Sequence, residues 1–377
     1  MLLISDVENL PMETGENQNQ RMQMVRNLLI QSPPTLVKNV ETKMAAMMIG
    51  DDVWPITINK TEYQNALVCS PYTTYVTYPL DEIKKFNKYW IKWLVLFNAV
   101  VMSVLCRLSK INQVVQINNN LNSLIKHPSQ FSGLLPTLTQ KMIEHYPNHA
   151  ITFFRVNDIL DEKLLSVLRS NHYCVFPDRA VHVFFPNNHF MKRSHTKRDI
   201  SLLRKTEHEI IAHEQLTPDD GKCFAKLYRQ LFVEKHSKYN PIYTEHYFRQ
   251  AIENHWHHYT ALRNKAGKIE AFISWFVSEN NMVCGPLGYD VDVDQKKGLY
   301  RQLVAICLQY ANENNMPFNM GGGSDEFKSN RGSTKILEYA AVYYHHLPFY
   351  RSLAWRLLRW VCNRLIKKIM DDANRIR

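Results

Sequence analysis

The stretch with the strongest chemical signature runs Val283-Cys284-Gly285-Pro286-Leu287-Gly288-Tyr289-Asp290, followed by Gln295-Lys296-Lys297-Gly298-Leu299-Tyr300-Arg301. A strand-like run ends, a short loop follows, and a helical pattern begins at a glycine. The unpaired N–H groups and positive end of a helix's first turn favour an anion such as a phosphate. A glycine lets backbone come close to such a ligand, and three neighbouring side chains add positive charge. Gly288, Gln295, Lys296, Lys297, Gly298 and Arg301 are therefore the candidate binders of a phosphorylated group. The competing reading is a solvated, basic helix start with a turn glycine.

Other residue types could do chemistry nearby. Asp290 follows the strand directly; a carboxylate there could accept a proton or hold a substrate ammonium, or simply terminate the strand in a turn. Lys235-His236-Ser237-Lys238-Tyr239-Asn240 closes a helical run. His236 titrates near neutrality, which suits a general base, with Lys235 and Asn240 at the site edge; the alternative is a helix C-terminus that uses Lys and His against the dipole. Gly321-Gly322-Gly323 precedes Asp325, Glu326, Lys328 and Arg331. Three consecutive glycines often let a ligand approach backbone, and Lys328 and Arg331 could neutralise a phosphate or carboxylate. Glu338 and Tyr343 follow on the next strand, Glu338 as a further substrate contact. His255-Trp256-His257-His258 fits neither zinc-finger nor H-E-x-x-H spacing and is read as structural, as is His345-His346; no metal site is expected. The sequence holds no G-x-S-x-G, P-loop or G-x-G-x-x-G.

Gln295-x-x-Gly298 after a strand resembles the pyrophosphate loop of the GNAT superfamily of N-acetyltransferases, whose pattern is Gln/Arg-x-x-Gly-x-Gly/Ala; Tyr300 stands where that family has Gly or Ala. Asn319-Met320-Gly321-Gly322-Gly323-Ser324-Asp325-Glu326-Phe327-Lys328, closing at Gly332, is similar to a segment of the Fem-type and BioF-like branch, in which a Gly-rich strand end precedes Phe-Lys. The resemblance covers about residues 150–350. It implies an acyltransferase in which an amine attacks an activated carbonyl. The donor, acyl-CoA or acyl-carrier protein, would place its phosphates at the Gln295–Gly298 turn and its carbonyl along the strand ending at Gly288. Asp290 or His236 would assist proton removal, and a tyrosine such as Tyr343 would serve the thiolate leaving group as acid. No permanently bound cofactor is implied. An aminoacyl-tRNA-dependent transferase of the Fem type and a non-catalytic GNAT-like module are the alternatives.

The elements that must position these residues follow from periodicity. Residues 1–32 form a polar lead-in with no settled period, read as loose or helical and ending at Pro33-Pro34. Residues 33–171 read as an N-terminal α/β region: a hairpin of Val37–Ile49 and Val53–Ile58 around Gly50-Asp51-Asp52, helix over Leu80–Ile111, strands at Val114–Ile117 and Ala150–Arg155, and helices at Pro136–His145 and Leu160–Asn171. The resemblance suggests that this region is a degenerate GNAT-like half. Residues 172–346 form the second unit, with strands at Tyr173–Phe176, Ala180–Phe185, Tyr259–Arg263, Lys268–Val277, Met282–Tyr289, Pro317–Gly321 and Ile336–Tyr344. Its helices are predicted over Ser194–His208, Gly221–His236 and Gly298–Asn314. The order predicts a mixed α/β sheet flanked by helices, and the resemblance implies two tandem GNAT-like halves. Residues 347–377 read as one basic amphipathic helix, with Ala354, Leu358, Val361, Leu365 and Ile369 at helical spacing.

Composition sets the outer bounds. With 377 residues, 45% hydrophobic and 21% charged, the chain is an ordinary globular protein of about two units. Its net charge of +11 points to an anionic partner. Seven cysteines without a C-x-x-C suggest a reducing, cytoplasmic compartment. Trp93–Cys106 is the most apolar run and, at about 14 residues, too short to span a bilayer; it is read as a buried helix first and an interfacial one second. The basic, Trp-bearing tail at 347–377 suits an anionic membrane surface or a solvated terminal helix equally in pattern.

Overall fold

The computed structural model describes residues 2–4, 20–82 and 100–375. One twelve-stranded mixed sheet organises them: β1 Leu2–Ile4, β2 Lys43–Ile49, β3 Asp52–Asn59, β4 Val114–Ile117, β5 Ala150–Asn157, β6 Cys174–Phe184, β7 Glu209–Ile211, β8 His258–Arg263, β9 Ile269–Ser278, β10 Asn281–Tyr289, β11 Phe318–Asn319 and β12 Ser333–Tyr343. The spatial order is β1-β2-β3-β4-β5-β12-β6-β11-β10-β9-β8-β7. Read inward from its two edges it gives 1-2-3-4-5-12 and 7-8-9-10-11-6, so each strand of one half matches the strand six places later in the chain. Parallel pairing obeys the same symmetry. It occurs at β4–β5 and at β10–β11, with antiparallel pairs elsewhere.

A parallel pair needs a crossover connection, usually a helix. The helices Phe131–His145 and Leu299–Glu313 supply the two crossovers. The sixth strands are exchanged: β6 pairs with β11 and β12 with β5. β6 and β12 then pair with each other from Ser333↔Phe184 to Val342↔Cys174, with a register shift at Glu338/Tyr339. Neither half completes its own sheet, and the halves meet in a continuous ladder.

Several elements depart from the periodicity reading, each for a physical reason. In the lead-in, Leu2–Ile4 adds an edge strand that periodicity did not show, and Gln20–Ile30 is a helix, one of the two forms expected there, that buries Met22, Val25 and Leu28. Pro33–Leu36 is a helical turn, since proline suits the first helical positions, so the hairpin's first strand starts only at Lys43. Tyr173–Phe176 and Ala180–Phe185 are one strand, whose register shift against β12 absorbs Pro177. The helix from Gly221 is α-helical to Tyr228 and then widens into a π-type turn over Arg229–Glu234. The tail begins with a tight turn at Phe349–Ser352 before the helix Leu353–Arg375. Of the run Trp93–Cys106, residues 93–99 lie outside the described residues. The described part belongs to a helix at 100–108 whose Val100, Val101 and Val104 are exposed, against the buried reading.

Close approach fixes two glycines. A Cβ on Gly288 would lie 2.6 Å from the Tyr228 nitrogen and 2.7 Å from the Leu227 carbonyl carbon, so the helix Gly221–Tyr228 rests its backbone directly on β10. A Cβ on Gly285 would lie 2.5 Å from Ser274 Oγ and 2.8 Å from His257 Nδ1. Backbone cannot yield as a flexible side-chain tip can. Gly288→Ala should therefore destabilise the fold by about 1–3 kcal/mol, read as a lower denaturant midpoint with an unchanged slope. An unaltered midpoint would show that the helix lifts off β10 without cost.

Candidate functional site

The turn before the helix Leu299–Glu313 is built by its own residues. Asp294 Oδ1 accepts from the Lys296 N–H at 2.9 Å, and the Asp294 carbonyl accepts from the Lys297 N–H at 2.9 Å. The Gln295 carbonyl accepts from the Gly298 N–H at 3.0 Å. Gly298 has φ +60°, which an L side chain rarely adopts, and a Cβ there would lie 2.7 Å from Leu202 Cδ2. The conformation and the packing of helix Ser194–Arg204 thus account for the glycine. Arg301 turns to Asp199 at 2.7 Å, and Arg331 reaches the other oxygen of that buried carboxylate at 2.5 Å. Arg331 also lies 3.4 Å over the Phe327 ring and donates to the Phe327 carbonyl.

β10 and β11 pair only through Met282 and Val283, after which β10 bulges between Cys284 and Leu287. The notch so opened lies beside the strand end at Gly288, along which the resemblance places the donor's carbonyl. Here Tyr300, the residue in the Gly/Ala position, sits 4.9 Å from the Phe327 ring and 6.0 Å from Tyr289. These rings pack with Leu287 against buried Cys284 and Met320. Burial raises the pKa of Tyr300, the mark of an apolar surround. The amides of Lys296, Lys297 and Gly298 thus bond within the turn, the first-turn amides of the helix from Leu299 stay without an intrahelical partner, and Tyr300 with its ring neighbours narrows the notch.

The Gly-rich segment is likewise closed from within. Lys328 Nζ donates to the carbonyls of Met320, Gly321 and Gly322 at 3.0, 3.0 and 2.8 Å. Burial lowers its pKa to about 8. Asp325 pairs with Lys335 at 2.5 Å and lies 3.3 Å from His182. Glu338 is fully buried at the centre of the sheet, accepting from Arg179 Nε at 2.7 Å and Asn319 Nδ2 at 3.0 Å. Arg179 also donates to the Ser123 carbonyl at 2.6 Å. Beside it, buried Arg155 pairs with Asp178, which accepts from Tyr75 Oη at 2.9 Å.

The remaining candidates are dispersed. Asp290 pairs with Lys268 at 2.6 Å, which holds it below the usual carboxylate range. Lys235 and His236 are exposed beyond the π-type turn, and Asn240 donates to the Phe232 carbonyl at 2.9 Å. Tyr343 stands at the far end of β12, ten residues from Ser333 and so roughly 33 Å along the strand. It is stacked at 5.9 Å on His346. The chain therefore brings together Arg301 and Arg331 through Asp199, and Lys328 and Glu338 through the Met320–Asn319 strand end. It does not bring His236 or Tyr343 to the turn.

An opening between the halves lies elsewhere, beside the His255–His258 stretch that the sequence reads as structural. A cavity of about 370 Å³ is lined from the first half by Trp54, Asn118 and Lys126 and from the second by Trp256, His257 and His258. Arg21 closes one side, 3.8 Å over the Trp54 ring. The segment 118–130, between β4 and the helix Phe131–His145, is the first-half counterpart of the 290–298 turn. It crosses into the second half, where Asn122 Oδ1 accepts from Tyr243 and Tyr247 at 3.1 and 3.2 Å. Asn118 and Leu121 hold φ of +58° and +64°, and Asn119, Asn122 and His127 are buried. Asn119 bonds Thr57 Oγ1 and the Val68 carbonyl, both at 2.9 Å. Lys126 is paired with Asp161 at 2.6 Å.

The cavity's imidazoles differ sharply. His257 is buried, with Nε2 3.2 Å from Tyr247 Oη, and burial pushes its pKa down to about 3, so it stays neutral. His258 is exposed; partial desolvation lowers its pKa, Glu214 opposes this, and His255 adds to it. Trp54, Trp256, His257 and Ser278 all line the cavity and carry buried polar atoms without a hydrogen-bond partner. Such groups ordinarily mark ordered water or a ligand. Sequence signals existed: a run of asparagines, which tolerate left-handed backbone, and the dense His-Trp-His-His stretch. Their convergence across more than a hundred residues was not legible.

No protein-family model matches the chain, and comparison with curated proteins finds no match. Solved structures do resemble it. FemX is similar over 92% of this chain and 96% of its own length, at 9% identity and a TM-score of 0.51. L-PGS from Bacillus licheniformis matches 65% of this chain and 82% of its own, at 15% identity and a TM-score of 0.43. A tandem GNAT protein from the clavulanic acid biosynthesis pathway matches 90% and 91%, at 9% identity and a TM-score of 0.39. At such identities a likeness speaks of fold alone, and nearly the whole chain shares the fold of FemX: a GNAT-like mixed sheet of the Fem type, as residues 282–332 resemble.

Proposed function

We propose that the chain is an N-acyltransferase that moves an aminoacyl group from the ester of an aminoacyl-tRNA onto an amine held in the cavity between the halves. The fold shared with FemX supports acyl transfer as the reaction class. The observation that favours an RNA-borne donor is the crowding at the Gln295–Gly298 turn, where the Lys296, Lys297 and Gly298 amides bond within the turn and Tyr300 packs on Phe327 in the notch. Acyl-CoA and the phosphopantetheine arm of an acyl-carrier protein both require that notch. An ester on RNA does not, because its carrier binds through surface phosphates. Lys296 and Lys297 are exposed and Arg301 is partly so, which suits phosphate contacts on a surface. The net charge of +11 agrees with such a carrier.

The amine nitrogen attacks the ester carbonyl carbon, the bond to the ribose oxygen breaks, and that oxygen leaves with a proton. His258 is the group assigned to take the proton from the attacking amine. It is among the residues that line the cavity, its ring is stacked 5.9 Å from Trp275, and its lowered pKa keeps it unprotonated at neutral pH. Neutral His257, fixed by Tyr247 and by the room that Gly285 leaves, shapes the wall behind it. Holding amine and ester together supplies much of the rate in such reactions.

Two measurements test this. Thermal-shift and filter-binding assays should show stabilisation by tRNA that falls by about a thousandfold in affinity between low and moderate salt if some six phosphates are contacted. Acetyl-CoA and long-chain acyl-CoA should leave the midpoint unchanged. Lys296→Glu/Lys297→Glu should weaken tRNA binding by about tenfold or more with the fold intact. Stabilisation by an acyl-CoA that this double variant removes would overturn the choice of donor.

The second is the pH dependence of transfer. A base with a lowered pKa remains competent down to its own value, so kcat/KM should hold level through about pH 6.5, the ordinary histidine value, and fall only below it. His258→Ala should lower kcat/KM by about a hundredfold and abolish that limb. An acid limb above pH 6.5 that survives in the variant would remove His258 from the role.

A further inference from the structure

Among the described residues, eight of the fourteen exposed large hydrophobic residues fall in two short segments: Val100, Val101, Val104 and Leu108, and Phe349, Tyr350, Leu353 and Trp360. Such crowding marks an interaction site rather than ordinary surface scatter. In the helix at 100–108 the exposed residues stand at i, i+1, i+4 and i+8, one face, while Cys106 is buried on the other. The helix Leu353–Arg375 repeats the arrangement. Ala354, Trp355 and Leu358 face the core, and Leu353, Arg356, Trp360 and Arg364, at i, i+3, i+7 and i+11, share the outer face.

The two segments are tied together. Arg351 is buried and donates to the carbonyls of Ser109 at 2.8 Å and Lys110 at 3.4 Å, which follow directly on the helix at 100–108. Cys106, Ala354, Trp355 and Leu358 belong to one core cluster, with Met102, Leu105 and Cys362 packed on it. The outer apolar faces therefore belong to neighbouring helices.

Their charge is one-sided. Arg356 stands 5.1 Å over the Phe349 ring and Arg364 4.1 Å over the Trp360 ring, each a cation set on an exposed aromatic. Alongside, Arg359 edges an open groove of about 470 Å³ whose other lining residues include Arg169, His172 and His345 and no carboxylate. Aromatic and aliphatic side chains on one face with arginines beside them are what a helix needs to lie in a headgroup layer. No helix among the described residues is long and apolar enough to cross a membrane, so such contact would be peripheral.

We infer that the helix at 100–108 and the outer face of residues 349–364 form one docking surface for an anionic phospholipid bilayer, with Val104, Leu108, Leu353 and Trp360 entering the interface and Arg356 and Arg364 meeting headgroup phosphates. This surface does not depend on the transferase reading.

The full chain would be co-sedimented with vesicles of phosphatidylcholine alone and of phosphatidylcholine mixed equally with phosphatidylglycerol, alongside size-exclusion chromatography. The chain should pellet with the anionic vesicles and much less with the neutral ones. Arg356→Gln/Arg364→Gln should weaken binding to anionic vesicles by about thirtyfold, and Val104→Asp/Leu108→Asp should abolish it. All four side chains are exposed, so both variants should keep the wild-type thermal midpoint. Wild-type protein that stays in the supernatant, or variants that pellet like it, would overturn the proposal. So would a wild-type dimer that Val104→Asp/Leu108→Asp converts to monomer without vesicle binding, which would assign the face to a second copy. Loss of tRNA binding in the arginine variant with vesicle binding unchanged would assign those charges to RNA and overturn it as well.

Discussion

The exchange of sixth strands is the constraint on which the rest of the molecule depends. β6 and β12 lie side by side at the middle of the sheet, each completing the other half. An ion pair with a buried carboxylate stands where they face one another: Glu338 pairs in register with half-buried Arg179 and accepts from it at 2.7 Å. Asn319 on β11 and the Ser123 carbonyl in the crossing segment bond the same pair. A buried carboxylate is tolerated only when its oxygens are satisfied, so this network locks four elements from both halves to one arrangement. Side chains from residues 118–130 and 255–258 can line one cavity because the ladder between the halves is continuous.

The two crossovers are equivalent in topology and opposite in use. In the second half a short turn leads into the helix Leu299–Glu313, and its glycine is explained by φ +60° and by Leu202. In the first half the corresponding segment is longer, and its polar side chains bond in place of a repeating backbone ladder. Ser129 N–H and Oγ both donate to Glu279 Oε1 at 2.8 Å, which sets a carboxylate from the β9–β10 hairpin at the start of the helix Phe131–His145. A negative group there suits the helix dipole. One crossover is thus sealed by aromatic packing and the other by a carboxylate of the opposite half. The space left open lies between the halves.

Local pattern made the fold class legible. The leucines of Glu162–Ser170 and of Leu299–Glu313 are buried on the faces their spacing predicts, and the hairpins at Gly50 and Gly267 turn at glycines with φ of +60° and +80°. The strand–loop–helix–strand order from 282 to 321 carried the resemblance to the GNAT superfamily. The strand exchange was not legible, because the alternation in Cys174–Phe184 and Ser333–Tyr343 states which face is buried and nothing about which neighbour is paired. The candidate site was read from charge and glycine near one turn. Several of its charges proved to be engaged within the fold: Arg301 and Arg331 share Asp199, and Lys328 bonds three carbonyls of its own turn. Sequence shows that a cation is present but not whether the fold has already supplied its partner.

The same distinction governs the charge excess. Arg155, Arg179, Arg331, Arg351, Lys126 and Lys328 work within the fold, bonding carboxylates or carbonyls. Asp161, Asp178, Asp199 and Glu338 are withdrawn with them, so the interior is nearly balanced and most of the +11 stays at the surface. Buried pairs add little to long-range attraction, whereas unpaired surface cations act across a Debye length. The surface excess is also uneven. The groove edged by Arg359 has no carboxylate in its lining, whereas Lys297 near the sealed turn lies 3.7 Å from Glu270 and Lys268 pairs with Asp290. A polyanion approaching the second-half turn therefore meets cations partly offset by acids, and its binding must be moderate and salt-dependent. An anionic surface approaching the tail meets arginines set among exposed apolar side chains, where charge and burial act together.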